Sequence, residues 1–302
     1  MRYSLTSRVR GTLIGVLIGQ SLAVTEASIG NYNSSALVQS MESLIGRGRF
    51  DLDEWNKFDR AVWDLETQFD QILAILILAT LPIALFFHEN NIKLKENLLK
   101  AIESYNHPLL RDGILAVCYL IAQSLNEKIN QNTIVSEITS FIGETTTDIP
   151  RKLEQVNNLS IENAGLIELQ NCLGKENNIS NTIAIAFYCF AMTKEDFRLT
   201  CLRSSKHNSP ACGAIAGAIS GAYNSIAGIP ITWHLGLDET KLAQWGLTNF
   251  SQMVKLSDEL VAVWSGAYNL LPQSLDIEEA KNIDFNFSAN EAIAAPYIIR
   301  LR

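Results

Sequence analysis

Few residues in this 302-residue chain combine the types and spacing that chemistry needs. Glu66 and Asp70 stand four apart, with Asp64 nearby. On a helix they would place two carboxylates on one face, a pair able to seed a metal or acid/base site. The competing reading, the solvated end of a helix whose other half is buried, is the stronger one. Lys206-His207 sets a cation beside an imidazole, and could act as a base or an anion contact; a loop histidine is more often incidental. The four histidines (His88, His107, His207, His234) form no HExxH or HxxxH pair. The five cysteines are odd in number, widely spaced and free of CxxC, so they propose neither a disulfide framework nor a zinc site. Reduced thiols in a cytoplasmic protein are expected.

The elements that would position such residues are apolar. Hydrophobic residues make up 47% of the chain and charged ones 19%, with mean hydropathy +0.09, enough for a large core and incompatible with whole-chain disorder. Twenty-four basic against 32 acidic residues give a net charge of −8 and a pI near 5.1, with no Lys/Arg-rich run. That balance argues against a nucleic-acid surface and against an anionic-membrane patch. It leaves open a carboxylate-rich metal site.

Three stretches carry no charge: Gly11 to Val24, Gln71 to Phe87 and Ala211 to Trp233. The first follows Arg2, Arg8 and Arg10 and ends in Ser21-Leu22-Ala23, like a secretion signal with a small-residue cleavage site. Its Gly11, Gly15 and Gly19 weigh against a purely lipophilic segment, and secretion with cleavage is the weaker reading. The second is short for a membrane span and holds Pro82. The third repeats the glycine spacing at Gly213, Gly217 and Gly221, which lets two buried helices approach closely. All three read as core, and no membrane span is required.

Three- and four-residue apolar spacing dominates, and no sustained alternation or Asn-Gly hairpin signal occurs. The expected fold is all-α: a single helical domain over residues 1–302, with no linker and no fixed-period repeat. Helices are expected over Asp53–Leu81 as one stretch, Ile92–Tyr105, Pro108–Asn126, Thr133–Ile142, Ile161–Leu173, Ser180–Met192, Lys194–Ser204, Cys212–Ile226, Asp238–Leu247 and Phe250–Leu271. Asn106-His107-Pro108 gives a stop-and-restart signal. Gly30–Ser35, Gly143–Arg151 and Gly174–Asn178 read as surface loops.

Two stretches together are specific. Arg8 to Ala23, RVRGTLIGVLIGQSLA, resembles the first helix of ADP-ribosylglycohydrolases, usually RxxGxLxGxxxGDALG. Lys194-Glu195-Asp196-Phe197, then Lys206 to Tyr223, then Ile229-Pro230-Ile231-Thr232-Trp233 are similar to that family's EDF, GGDTDTxAAIAGAxxGAYxG and IPxxW series in order and spacing. Thr67-Gln68-Phe69-Asp70 before an apolar helix resembles its TDDT segment more weakly. The resemblance implies an orthogonal bundle of many helices. It also implies a site at the remnant motifs, Gln20, Thr67, Gln68, Asp70, Asn208 and Ser209.

In the family, carboxylates and threonine hydroxyls of these motifs hold two magnesium ions, which polarise the ribosyl linkage and the attacking water. Here Gln20 stands at the first aspartate, Gln68 and Phe69 at the central carboxylates of TDDT, and Asn208-Ser209-Pro210-Ala211 at DTDT. Lys206-His207 replaces the preceding glycine pair. An amide coordinates weakly and cannot offset a dication's charge, so no metal cofactor is expected and no catalytic residue can be assigned. The expected function is that of a pseudoenzyme acting through a partner protein or an ADP-ribose-like ligand, with neither nucleic acid nor membrane. The alternative is an active hydrolase with an atypical metal site.

Overall fold

The computed structural model describes residues 2–23, 35–63, 69–103, 105, 107–174, 176, 178–207, 209–237 and 242–267. Two helices from the chain's two glycine-spaced runs lie at its centre. Helix α1 spans Leu5–Ala23 and is buried without interruption from Gly11 to Gln20. Helix α13, Pro210–Asn224, is buried from its first residue through Ala222. They run antiparallel with their glycines in register. A Cβ at Gly217 would stand 2.0 Å from the Gly15 carbonyl oxygen, one at Gly213 2.1 Å from that of Gly19, and one at Gly221 2.0 Å from that of Gly11. The reverse contacts are equally close, so backbone meets backbone along the whole interface, the geometry in which Cα–H groups point at carbonyls.

The other helices wrap this pair: α2 Ser35–Arg47, α3 Leu52–Trp63, α4 Phe69–Ala79, α5 Leu81–Phe86, α6 Asn91–Ala101, α7 Pro108–Leu125, α8 Ile134–Ile142, α9 Ile149–Ile161, α10 Leu166–Leu173, α11 Ile179–Met192 and α12 Phe197–Ser205. After α13 come a 3₁₀ turn at Ile226–Gly228, α14 Ile231–Leu235 and α15 Phe250–Ser265. No strand occurs among the described residues. The structure thus has the all-α architecture that the periodicity predicts.

Local chemistry sets the helix starts. His107 Nδ1 accepts from Leu110 N at 3.3 Å with Pro108 opening α7, which realises the Asn106-His107-Pro108 restart signal. Asn178, Asp196 and Asn249 cap α11, α12 and α15 through the backbone N–H three residues on. The Asp196 cap is why the segment expected from Lys194 becomes helical only at Phe197. Other expectations also need correction. The loop read over Gly143–Arg151 ends early, because α9 starts at Ile149 with Pro150 in its first turn. Ile161 therefore closes α9 instead of opening the next helix, and α10 begins at Leu166 after Gly165. Of the stretch read as continuous over Asp53–Leu81, residues 64–68 lie outside the described residues, and the part that follows breaks at Thr80, whose hydroxyl turns back to the Ile77 carbonyl at 2.7 Å. Of the helix expected over 238–247, residues 242–247 form a turn closed by Trp245 N to Leu242 O, and 238–241 lie outside the described residues.

One described helix, Pro108–Leu125, is long and apolar enough to cross a membrane, and 83% of it is buried inside the fold. Arg111 and Asp112 near its start are engaged within the protein: Arg111 donates to Ile142 O and Glu144 O, and fully buried Asp112 accepts from the Thr145 and Thr147 hydroxyls. These bonds fasten the 143–148 loop to α7.

Candidate functional site

The antiparallel pairing of α1 and α13 sets the Gln20 turn of α1 against the first turn of α13, which Ser209 caps. Gln20 is 2% exposed and Ser209 8%. A carboxylate at the depth of Gln20 would need a cation beside it; a neutral amide does not. Asp70, in the first turn of α4, reaches the start of α11, where its Oδ1 accepts from Ile179 N at 3.1 Å. Helices α11 and α13 pack side by side. Gln20, Asp70 and Ser209 are thereby gathered at one end of the bundle, whereas Thr67, Gln68 and Asn208 lie outside the described residues, as do Asp64 and Glu66.

At that end, between α10, α11 and the turn entering α13, lies a cavity of about 390 Å³. Leu169, Leu173 and Ile185 supply its apolar wall; Gln170, Thr182, Ser209 and His207 supply polar groups, with Lys206 also on its lining. Burial lowers the His207 pKa, so the imidazole is neutral at pH 7, and its Nε2 is buried without a hydrogen-bond partner among the described residues. Cys212, also on the wall, is completely buried and its thiol is pushed well above its ordinary pKa, so it is no nucleophile at neutral pH. Gln20 and Asp70 do not line the cavity. The sequence reading missed Gln170 and Thr182, which belong to no motif. Other polar residues flank them, Glu168 and Asn171 on α10 and Ser180 and Asn181 on α11, so nothing in the sequence singled them out.

The residues present do not fit a two-magnesium centre. Asp70 holds a backbone N–H with one oxygen, and the Ser209 hydroxyl accepts from Cys212 N at 3.3 Å. No group of three or more His, Cys, Asp or Glu side chains among the described residues could hold a metal ion. Both side chains are instead helix caps, with a measurable consequence. Ser209→Ala and Asp70→Ala should each lower stability by about 1 kcal/mol, while Asp70→Asn, which keeps an acceptor, should cost clearly less. Midpoints of urea unfolding check this.

The family model of the ADP-ribosylglycohydrolases matches residues 74–269. The chain belongs to the ADP-ribosylglycohydrolase family. The match includes the 194–233 series that carries the sequence resemblance; the α1 motif and residues 67–70 precede it. A solved structure described as an ADP-ribosylglycohydrolase-related protein complex superposes with a TM-score of 0.59 at 15% identity, covering 86% of this chain and 99% of that one. At that identity the likeness concerns the fold, and it confirms the helical architecture of an ADP-ribosylglycohydrolase-related protein. No curated protein matches the chain.

Proposed function

We propose that this member of the ADP-ribosylglycohydrolase family is a pseudoenzyme that binds without metal-dependent hydrolysis, with an ADP-ribose-like nucleotide as its ligand or a protein as its partner. One observation carries the reading: at the remnant metal motifs, one carboxylate oxygen of Asp70 and the Ser209 hydroxyl are engaged in holding backbone N–H groups. Replacement of the other ligand positions by Gln20, Gln68, Phe69, Asn208 and Pro210 supports it. The cavity supports the nucleotide arm. Its volume falls within the usual range of small-molecule pockets, with an apolar wall for a base, Gln170 and Thr182 for hydrogen bonds and Lys206 for a phosphate, alongside the acid Glu176. The free cysteines, four of them buried, favour a reducing compartment, the cytoplasm.

Calorimetric titration of magnesium, and separately of ADP-ribose, into the purified protein tests the proposal. Magnesium should give no heat of paired-site binding, and ADP-ribose should raise the melting temperature equally with and without magnesium. Micromolar binding of two magnesium ions, or magnesium-dependent release of ADP-ribose from a modified protein, would overturn it in favour of an active hydrolase.

A further inference from the structure

Helix α12 buries Phe197, Thr200, Cys201 and Ser204 against its neighbours, a three- and four-residue spacing that leaves the opposite face outside. That outer face carries Arg198, Leu199, Leu202 and Arg203, and Lys206 follows at its end. Leu199 is 47% and Leu202 37% exposed. None of the three cations forms an ion pair among the described residues. Of the acids next to the helix in sequence, Asp196 caps it and Glu195 pairs with Arg2 and accepts from Tyr223; Glu168 and Glu176, on the α10 side, form no ion pair with these cations among the described residues. The Phe197–Trp233 ring contact is made through the buried side of α12 and leaves the outer face uncovered.

Helix stability does not explain this pattern. Arg203 and Lys206 complement the negative end of the helix, but Arg198 sits in the first turn, where a cation opposes the dipole. Three unpaired cations interleaved with exposed leucines are also unusual in a chain of net charge −8. We propose that the outer face of α12 is a docking ridge for an acidic amphipathic helix of a partner protein, with carboxylates opposite Arg198, Arg203 and Lys206 and apolar residues on Leu199 and Leu202. Charge selects this occupant. Long polyanions such as nucleic acid or an anionic bilayer extend beyond α12 and meet the repulsion of the whole acidic chain, whereas a short acidic helix meets only the local cations. The ridge is about 13 Å long, which suits a weak, reversible interface. Lys206 also lines the cavity, but Arg198, Leu199, Leu202 and Arg203, the residues the test replaces, do not, so the outcome of the ADP-ribose titration leaves their role untouched.

The test uses the full chain and a fluorescein-labelled 15-residue helical peptide of Glu, Ala and Leu, with Leu at three- and four-residue spacing. A Lys-for-Glu version serves as its control. Fluorescence anisotropy should show the Glu peptide binding at least tenfold more tightly than the Lys peptide. The double variant Arg198→Glu/Arg203→Glu should weaken binding at least tenfold, and Leu199→Ser/Leu202→Ser at least fivefold. Lys100→Glu, a charge change on exposed surface of α6, should leave it within twofold. Circular dichroism establishes that the variants fold; should the Glu double variant fail to fold, Arg198→Gln/Arg203→Gln takes its place with the same expectation. Equal binding of the two peptides, or indifference to the α12 changes, would overturn the proposal. So would tighter α12-dependent binding to anionic vesicles or a 20-nucleotide RNA, or self-association through α12 in sedimentation.

Discussion

Gly217→Ala will unfold the protein or lower its stability by about 4 kcal/mol or more. Two effects compete. Alanine favours the helix over glycine by about 1 kcal/mol. Against that, the added methyl would stand 2.0 Å from the Gly15 carbonyl oxygen and 2.8 Å from its carbonyl carbon, both backbone atoms that no rotamer change can move. Helices α1 and α13 would have to separate along a face where every neighbouring contact is equally close. Overpacking into a rigid core ordinarily costs about 1–3 kcal/mol, and here the obstacle is two backbones at once. Gly15→Ala meets the Gly217 carbonyl oxygen at 2.2 Å and should behave the same way. Gly46→Ala is the internal control: it lies in α2 with nothing within 4 Å, so alanine there should be neutral or stabilise by up to about 1 kcal/mol. Guanidinium unfolding of the three variants decides the matter, and similar loss at all three positions would refute the packing argument.

Arg8→Ala is expected to cost about 3–4 kcal/mol. The Arg8 side chain is 2% exposed, yet its guanidinium is held on several sides: Nη1 donates to Ser124 O at 2.8 Å and Leu125 O at 3.3 Å, and Nη2 pairs with Glu127. Ser124 and Leu125 end α7, so the cation meets the negative end of its dipole and supplies a donor to the Leu125 carbonyl, while the Ser124 carbonyl also accepts from Glu127 N. Removing it takes a buried cation's charge-assisted hydrogen bonds from the end of α7 and the charge partner from Glu127, whose side chain is 31% exposed. Glu127 adopts a left-handed backbone at φ +56, a conformation that costs a non-glycine residue about 1 kcal/mol. The same carboxylate also accepts from the backbone N of Arg2, so the start of the chain hangs on the same pair. Arg8→Lys should recover only part of the loss, since one ammonium cannot span two carbonyls and a carboxylate. Urea unfolding monitored by circular dichroism measures both.

These two positions show how much the sequence reveals. The glycine spacing at 11, 15, 19 and at 213, 217, 221 announces close helix packing, but neither run says that its partner is the other. That pairing joins segments far apart in the chain. Helix α9 was equally present in the pattern, with Ile149, Leu153 and Val156 all buried on one face. Polar residues between them and a proline in its first turn hide it from a search for apolar runs. The remnant site was legible as substitutions, Gln20 for an acid and Asn208-Ser209-Pro210-Ala211 for a ligand quartet. What Asp70 does instead was not, because capping a neighbouring helix such as α11 depends on which helix lies alongside; Ser209, by contrast, caps its own helix α13. The cavity wall was hidden for the same reason: Gln170, Thr182 and His207 meet only after α10, α11 and the 206–209 turn have packed.

The α1–α13 interface has a consequence for the order of folding. Its two halves are separated by roughly two hundred residues, so during synthesis, at about 5–20 residues per second, α1 emerges many seconds before the helix that covers it. Through that interval an uncharged segment from Gly11 to Val24 has no permanent place to be buried. The last stage of assembly is therefore the closing of the chain's beginning against a late segment, a step governed by loop closure and contact order more than by local helix formation. Nascent chains that stop before Asn224 should be the aggregation-prone form of this protein, because they lack the α13 face that covers the α1 glycines.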